Sequence, residues 1–345
     1  MINSKTLTNW YSIYKRHLPW RETKNPYYIW LSEIILQQTR VAQGMPYYLK
    51  FIEKFPTIQH LAKAEEQEVL KLWQGLGYYS RARNLHTAAQ YVACELDGIF
   101  PDTYHEILKL KGVGDYTASA IASICFNAPT PVLDGNVFRV IARYYGIETP
   151  IHTGKAQSEF KQILHEIIDP ENPADFNQAI MEFGAIQCKP KSPNCTSCPF
   201  QTQCYAYRTN KVDQFPVKLK PKKEKKRYFN YLVFLSADGK TILEKRTQKD
   251  IWKNLYQFPL IESEREQKKD SISKEIKEKY DVYTSLFDLQ LYNDKEKVHK
   301  LSHQHIYTKF WIVYVDELKR GISLKQIKQY PFPVLISNFL NTFNY

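Results

Sequence analysis

The sequence predicts a multidomain chain, an all-α domain followed by an α+β domain. Three observations predict it. From Leu7 to about Tyr207, apolar residues recur at helical intervals between Gly, Pro and Asn-Pro breaks. Residues 211–227 then carry eight Lys and Arg against two acids, with Pro216 and Pro221 opposing helix, as an exposed linker would. Beyond them the chain turns rich in aromatic and β-branched strand formers. At 345 residues both parts can bury a core of their own. The expected boundaries are 1–210, 211–227 and 228–345.

Within the first part, Ile29 to Thr39 forms a strongly apolar helical segment. Ile58 to Gly75 places Ile58, Leu61, Val69, Leu70 and Trp73 at helix-compatible intervals. Gly75-Leu76-Gly77 breaks that pattern, and Arg83 to Leu96 resumes it with Leu85, Ala88, Ala89 and Val92. In the second part Tyr228 to Leu235 reads as a strand and Ala237 to Lys240 as a turn. Thr241 to Arg246 is expected to return as its hairpin partner. His303 to Val315 adds another strand, and the Lys/Glu-rich stretch 262–279 reads as a solvated helix. No internal repeat is present.

Lys and Arg outnumber Asp and Glu by 48 to 36, a net charge of +12 that favours a polyanionic partner. No stretch reaches the roughly 18 apolar residues of a membrane span, and the N-terminus lacks a signal peptide's apolar region. The expectation is a cytoplasmic protein in a reducing compartment, with no membrane partner. Cys94 and Cys125 lie in apolar helical runs and are expected to be buried free thiols.

The other four cysteines, Cys188, Cys195, Cys198 and Cys204, are spaced C-x6-C-x2-C-x5-C within 17 residues. Four thiolates so close can wrap a tetrahedral metal ion or a cuboidal iron–sulfur cluster, or pair as disulfides. The missing secretory signal weighs against disulfides. Only one gap has the length of a zinc knuckle.

Leu110-Lys-Gly-Val-Gly114 lies between two helical segments. Gly112 and Gly114 can turn the backbone tightly and aim N–H groups at a phosphate, although a plain interhelical turn reads the same way. Gly75 to Arg83 joins flexible backbone to Tyr78, Tyr79, Arg81 and Arg83, a set that can hold phosphates and wedge between bases or simply form a surface turn. Two carboxylates stand out. Glu33, in an apolar helix, would have its ionised form disfavoured, which suits a general acid; a solvent-edge Glu is the plainer reading. Asp134 reads as the N-cap of a helix starting near Val137, and a cap at a cleft can also face a cationic intermediate.

With the segments LPWR, SEIILQQT, LWQGLGYYSRARNL, LKGVGDYTA, LDGNVFRV, FNQAIMEFGA and the four-cysteine loop assembled, the chain resembles the MutY-type adenine DNA glycosylases of the endonuclease III superfamily. The resemblance runs densely from about Leu18 to Tyr205, then through IWKNLYQFPLIE and Ser302-His303. It implies a helix-hairpin-helix glycosylase domain with an iron–sulfur cluster loop, then a Nudix-like α+β domain that recognises 8-oxoguanine. The cluster implied is one [4Fe–4S] on Cys188, Cys195, Cys198 and Cys204. The implied partner is double-stranded DNA carrying an adenine opposite 8-oxoguanine or guanine, bound by a monomer.

By the same resemblance Glu33 protonates the flipped adenine, Asp134 stabilises the cationic sugar, and Tyr116 and Asn136 position them. Arg16, Trp20, Arg21, Leu36 and Gln178 would line the adenine pocket. Gln38, Thr39, Tyr78, Arg81, Gly112, Gly114, Ser302 and His303 would hold the DNA. Bifunctional relatives carry a Schiff-base lysine where this chain has Tyr116, so hydrolysis without strand cleavage is expected. Leu301 replaces the aromatic of the lesion-reading loop, and the glutamate-rich Nudix hydrolase signature is missing, so no pyrophosphatase activity is expected. A thymine- or uracil-directed mismatch glycosylase and a non-enzymatic DNA-binding protein are the competing readings. The C-terminal domain opposes the first, and retention of both carboxylates opposes the second.

Overall fold

The computed structural model describes residues 1–219, 224–280, 287–293, 296–318 and 320–343. Residues 220–223 of the expected linker lie outside that set, as do 281–286, 294–295, 319 and 344–345 of the expected second domain. The chain forms two compact units, Met1–Lys63 with Asn84–Lys220, and Ala64–Arg83 with Pro221–Tyr345.

The first unit is helical. Its centre is the Asp115–Phe126 helix, buried at every position from Thr117 to Ile124. Ala118, Ser119, Ala120, Ala122 and Ser123 keep that helix thin, so the Pro26–Leu36 and Pro173–Glu182 helices both pack on it. The Pro173–Glu182 helix in turn meets the Gly135–Tyr145 and Ser4–Tyr14 helices. Side-chain caps start several of these elements: Asn3, Asn25, Thr153 and Asp134 each accept a backbone N–H of the first turn. Asp134 caps a helix that begins at Gly135, within two residues of the expected start.

The second unit is built on β1 (Lys225–Ser236), β2 (Lys240–Thr241), β3 (Glu244–Lys245), β4 (Tyr256–Gln257), β5 (Leu260–Ser263), β6 (Asp288–Leu291), β7 (Lys297–Leu301), β8 (Gln304–Val315) and β9 (Ile322–Ser323). The main sheet runs β5-β1-β8-β6, with β7 also on β8. β1 and β8 are parallel over twelve residues, Lys225 to Ser236 against Gln304 to Val315. Both sheet faces are covered, so β1 reads as an almost continuous apolar run rather than an alternating one. Phe229, Tyr231 and Val233 join the Val334–Thr342 helix, where Phe339 stacks on Phe310 at 4.1 Å. Leu232 and Phe234 join the Lys269–Tyr280 helix through Ile272 and Ile276.

Four expectations differ from the structure. Thr241 to Arg246 does not pair with β1; β2 pairs with β9 and β3 with β4. β8 takes one edge of β1 along its whole length and β5 takes part of the other. The expected helix from Ile58 to Gly75 is broken into Ile58–Lys63 and Glu66–Leu72, because Glu65 adopts an extended conformation. The helix within 262–279 starts only at Lys269, after β5 ends at Ser263. Cys94 is exposed and Cys125 only partly buried, so the expectation of two buried thiols fails for Cys94. It sits on the outward side of its helix, between the buried Val92 and the C-terminal end at Glu95.

Candidate active site and DNA-facing elements

Glu33 lies in the middle of the Pro26–Leu36 helix and is 9% exposed. Burial raises its pKa from 4.5 to about 7, and the nearby Asp134 charge adds to the rise. A hydrogen bond with Tyr116 and the charge of Arg21 oppose it. Tyr116 stands in the first turn of the central helix, and its hydroxyl reaches both Glu33 and Met181 Sδ, the latter at 3.2 Å. It has one proton, and a carboxyl oxygen is the stronger acceptor.

Asp134 is held from three directions. Its Oδ1 accepts the N–H groups of Asn136 (2.9 Å) and Val137 (2.8 Å), and its Oδ2 accepts the Asn136 side-chain amide at 2.8 Å. Burial is the largest effect and leaves its pKa above the usual carboxylate value, while these three donors and Arg139 oppose the rise. The two carboxyls therefore sit in different environments: Glu33 has little help in carrying charge, and Asp134 has several donors for it. That contrast separates an acid from a charge stabiliser.

Two of the candidate pocket residues, Arg16 and Arg21, are tied together by Glu182, which the sequence reading did not single out. Glu182 ends the Pro173–Glu182 helix with its side chain 1% exposed, and it binds both Arg16 and Arg21. The two arginines hold its pKa down to about 2 against the opposing effect of burial. Tyr11 lies under the Arg21 guanidinium at 5.4 Å and donates to Gln178 Oε1 at 2.9 Å. Trp20 is buried edge-on to Tyr48 at 5.1 Å, and Leu36 ends its helix half-buried. Trp20 and Leu36 are thus placed by packing and the other three by polar contacts.

A π-helical turn, Phe183–Gln187, follows Glu182. Its Gly184 presses against Asn136: an added Cβ would lie 2.6 Å from Asn136 Cβ and 2.8 Å from its carbonyl oxygen. Only glycine permits that approach. Arg139, one turn along the helix capped by Asp134, donates to Asn136 Oδ1 (2.8 Å), the Gly184 carbonyl (2.5 Å) and the Cys188 carbonyl (2.7 Å). Arg143, a further turn on and 2% exposed, donates to Lys189 O at 2.7 Å and Cys188 Sγ at 3.4 Å.

The four loop cysteines are free of disulfides and line one small cavity with Arg143. Burial pushes the Cys198 thiol up to about 12 and also raises Cys195 and Cys204, the neighbouring thiols adding to the rise. Such thiols act as ligands only against a strong positive charge. Among the described residues no three His, Cys, Asp or Glu side chains converge tightly enough for a single metal ion.

Two of the expected DNA-holding residues share an unusual backbone. Gln38 (φ 53°) and Tyr78 (φ 46°) are both exposed and left-handed, a conformation that bulky residues rarely adopt and that concentrates at functional positions. Thr39 closes the same turn as Gln38 through its N–H to Leu36 O at 3.1 Å. Gly112 (φ 80°) sits where a Cβ would come 2.6 Å from Asn84 Cβ, while Gly114 caps the central helix with open space around it.

In the second unit Tyr78 and Ser302 meet directly, hydroxyl to hydroxyl at 2.6 Å. They flank a cavity of about 520 Å³ that His299, Trp252 and His303 also line. Leu301, at the end of β7, packs on the core of this unit beside that cavity. Arg81 folds back over Trp73 at 5.1 Å and Tyr78 at 5.7 Å, and burial lowers its pKa to about 10. It braces the turn that presents Tyr78.

Residues 31–167 match the HhH-GPD superfamily of base excision DNA repair proteins, and residues 230–342 match the NUDIX domain. The chain is 39% identical over 261 residues to an adenine DNA glycosylase of Buchnera aphidicola from Schizaphis graminum, covering 75% of this chain and 74% of that protein. It is 35% identical over 323 residues to the adenine DNA glycosylase of Arabidopsis thaliana, covering 81% of this chain and 51% of that protein. A thermostable thymine-DNA glycosylase superposes with a TM-score of 0.56 at 29% identity, covering 60% of this chain and 95% of that one. Endonuclease III in a non-covalent DNA complex shares the fold, with a TM-score of 0.52 at 23% identity over 61% of this chain and 99% of that one.

Proposed function

The chain belongs to the adenine DNA glycosylases, DNA-binding enzymes of base excision repair, and we propose that it removes adenine paired with 8-oxoguanine or guanine by hydrolysis alone, leaving the strand uncut. The observation that carries this reading is the group formed by Glu33, Tyr116 and Asp134: a neutral acid, a phenol in place of an amine, and a carboxylate held by N–H donors.

The chemistry follows from those environments. Adenine leaves badly as an anion, so its ring must gain a proton before the C1′–N9 bond breaks. Glu33, with a pKa near 7, keeps a large protonated fraction at neutral pH and gives its proton to N7 of the flipped base. The bonding electron pair departs with adenine and leaves an oxocarbenium-like sugar. Asp134 stabilises that cation at short range while Asn136 fixes its carboxylate. Water then adds at C1′, its proton returns to a carboxylate, and an abasic site remains. Tyr116 cannot form an imine with C1′, so no strand cleavage is coupled to base loss. Arg16, Trp20, Arg21, Leu36 and Gln178 bind the extruded adenine.

The four loop cysteines fit a [4Fe–4S] cluster. They are free, they line one cavity, and each would bind a different iron, which needs a wider spread than one ion does. When bound, the cluster supplies a structural clamp on this loop, and the exposed Lys189 and Lys191 stand ready for phosphate. On the C-terminal side Ser302 and His303 recognise the base opposite adenine beside Tyr78, and the protein works as a monomer.

The test is a labelled duplex with one adenine opposite 8-oxoguanine, incubated with holo-protein and analysed with and without alkali. Strand breaks only after alkali are expected. Breaks without alkali overturn the monofunctional reading. Equal excision from A:8-oxoguanine and A:T duplexes overturns the mispair reading.

A further inference from the structure

We infer that Glu182 is a positioning residue of the adenine pocket, which fixes the guanidiniums of Arg16 and Arg21 and offsets the charge of Arg21 that acts on Glu33. The inference rests on the reading of Glu33 as the acid and of the two arginines as pocket residues.

The geometry is that of a built site. Glu182 Oε1 accepts the backbone N–H of Arg16 at 3.0 Å and its Nε at 2.7 Å. Oε2 accepts Arg16 Nη2 at 2.6 Å and Arg21 Nη2 at 2.8 Å. Four donors from two arginines therefore converge on one carboxylate whose side chain is 1% exposed. Arg21 Nη1 also donates to the Arg16 carbonyl at 2.9 Å, which closes the segment on itself. Trp20 lies inside that closed segment, with its indole packed edge-on to Tyr48. Through Tyr11, which faces Arg21 and donates to Gln178, the network reaches a fourth pocket residue.

Charge gives Glu182 its second task. Two guanidiniums and one carboxylate leave a single net positive charge where there would otherwise be two. The groups that act on Glu33 are Tyr116 by hydrogen bond, Asp134 as a neighbouring anion and Arg21 as the cation. Cys125, which feels the Glu33 charge, is a thiol raised to about 12 and stays neutral. The groups around Glu182 are Arg16, Arg21 and Tyr11, with Asp175 acting on Tyr11. Arg21 thus acts on both carboxyls. It favours the ionised, useless form of Glu33, and Glu182 offsets that pull.

Glu182→Gln keeps the shape of the side chain and removes its charge. In single-turnover kinetics on an A:8-oxoguanine duplex the rate should fall as pH rises through the titration of Glu33. In Glu182→Gln that fall is expected to move to lower pH by roughly half a unit or more, as an uncompensated nearby charge demands. The loss should then be severalfold larger at pH 8 than at pH 6. Glu182→Asp keeps the charge and shortens the reach, so its rate should drop with the limb left in place. A limb that stays put in Glu182→Gln, or moves equally in both variants, overturns the inference. If Glu182→Gln does not fold, a Glu182→Asp limb displaced from the wild-type position overturns it, and an undisplaced one supports it. Glu33→Gln separates the two readings: full activity there sinks the acid assignment itself, whereas inactivity with an unmoved Glu182→Gln limb sinks only the role of Glu182.

Discussion

Glu33 shows how a site residue can oppose the stability of the protein that holds it. Its ordinary value of 4.5 applies in the unfolded chain and about 7 in the folded one, so the native state binds the proton more tightly. Stability linked to this group is full below pH 4.5 and declines as pH rises to about 7, by roughly 3 kcal/mol at about 1.4 kcal/mol per unit. Above pH 7 the loss is complete. Glu33→Gln cannot ionise. It is expected to lose about 10²- to 10⁴-fold in excision rate and to melt higher than the parent at pH 8, with no such advantage at pH 4. Melting curves at the two pH values check this, and a variant less stable at both would contradict the burial argument.

At the scale of elements, the Gly135–Tyr145 helix acts as a rod with a different task at each turn. Its cap is Asp134, its first turn carries Asn136, and Arg139 and Arg143 follow at one-turn intervals on the side of the cysteine loop. The Arg139 guanidinium donates to the carbonyls of Gly184, within the π-helical turn, and of Cys188, at its C-terminal cap. Arg139→Ala leaves those carbonyls and Asn136 without their donor. The cost should be about 3–5 kcal/mol, typical of breaking a buried charged contact. If the cysteine loop holds the proposed [4Fe–4S] cluster, the expected result is a lower iron-to-protein ratio together with a lower excision rate, measured on the same preparation. Full iron content with unchanged activity would show that the rod transmits nothing.

At the scale of the whole molecule, residues far apart in the chain are made neighbours by the fold. Tyr78 and Ser302 are separated by 224 positions, yet their hydroxyls lie 2.6 Å apart in one compact unit. If both read the base opposite adenine, they do so as a pair. Tyr78→Phe and Ser302→Ala should each reduce the preference for 8-oxoguanine over guanine in duplex binding. The double variant should lose little more than either single one, with a coupling on the order of 1 kcal/mol. Fully additive losses would mean that the hydroxyls act independently.

The sequence by itself determined the parts whose cause is local. Helical periodicity, the Gly75-Leu76-Gly77 break, the Asp134 cap and the switch to strand formers at Tyr228 depend on neighbours within a few residues, and the structure has them all. The contrast between Tyr116 and a Schiff-base lysine came instead from the family resemblance, and the alkali test decides it. The tertiary structure decided the rest. Whether Glu33 faced solvent or core was open, since an apolar helix has an outside until something covers it; the Asp115–Phe126 helix does. Glu182 stayed unremarked inside a recognisable motif because its partner Arg16 lies 166 residues away. The return of Thr241 to β1 failed for the same reason: β8, distant in sequence, holds that edge. Residues 64–83, helical by pattern and placed with the first domain, cluster with the second unit. Local pattern selects the element, whereas burial, charge and pairing partners depend on contacts that only the folded chain brings together.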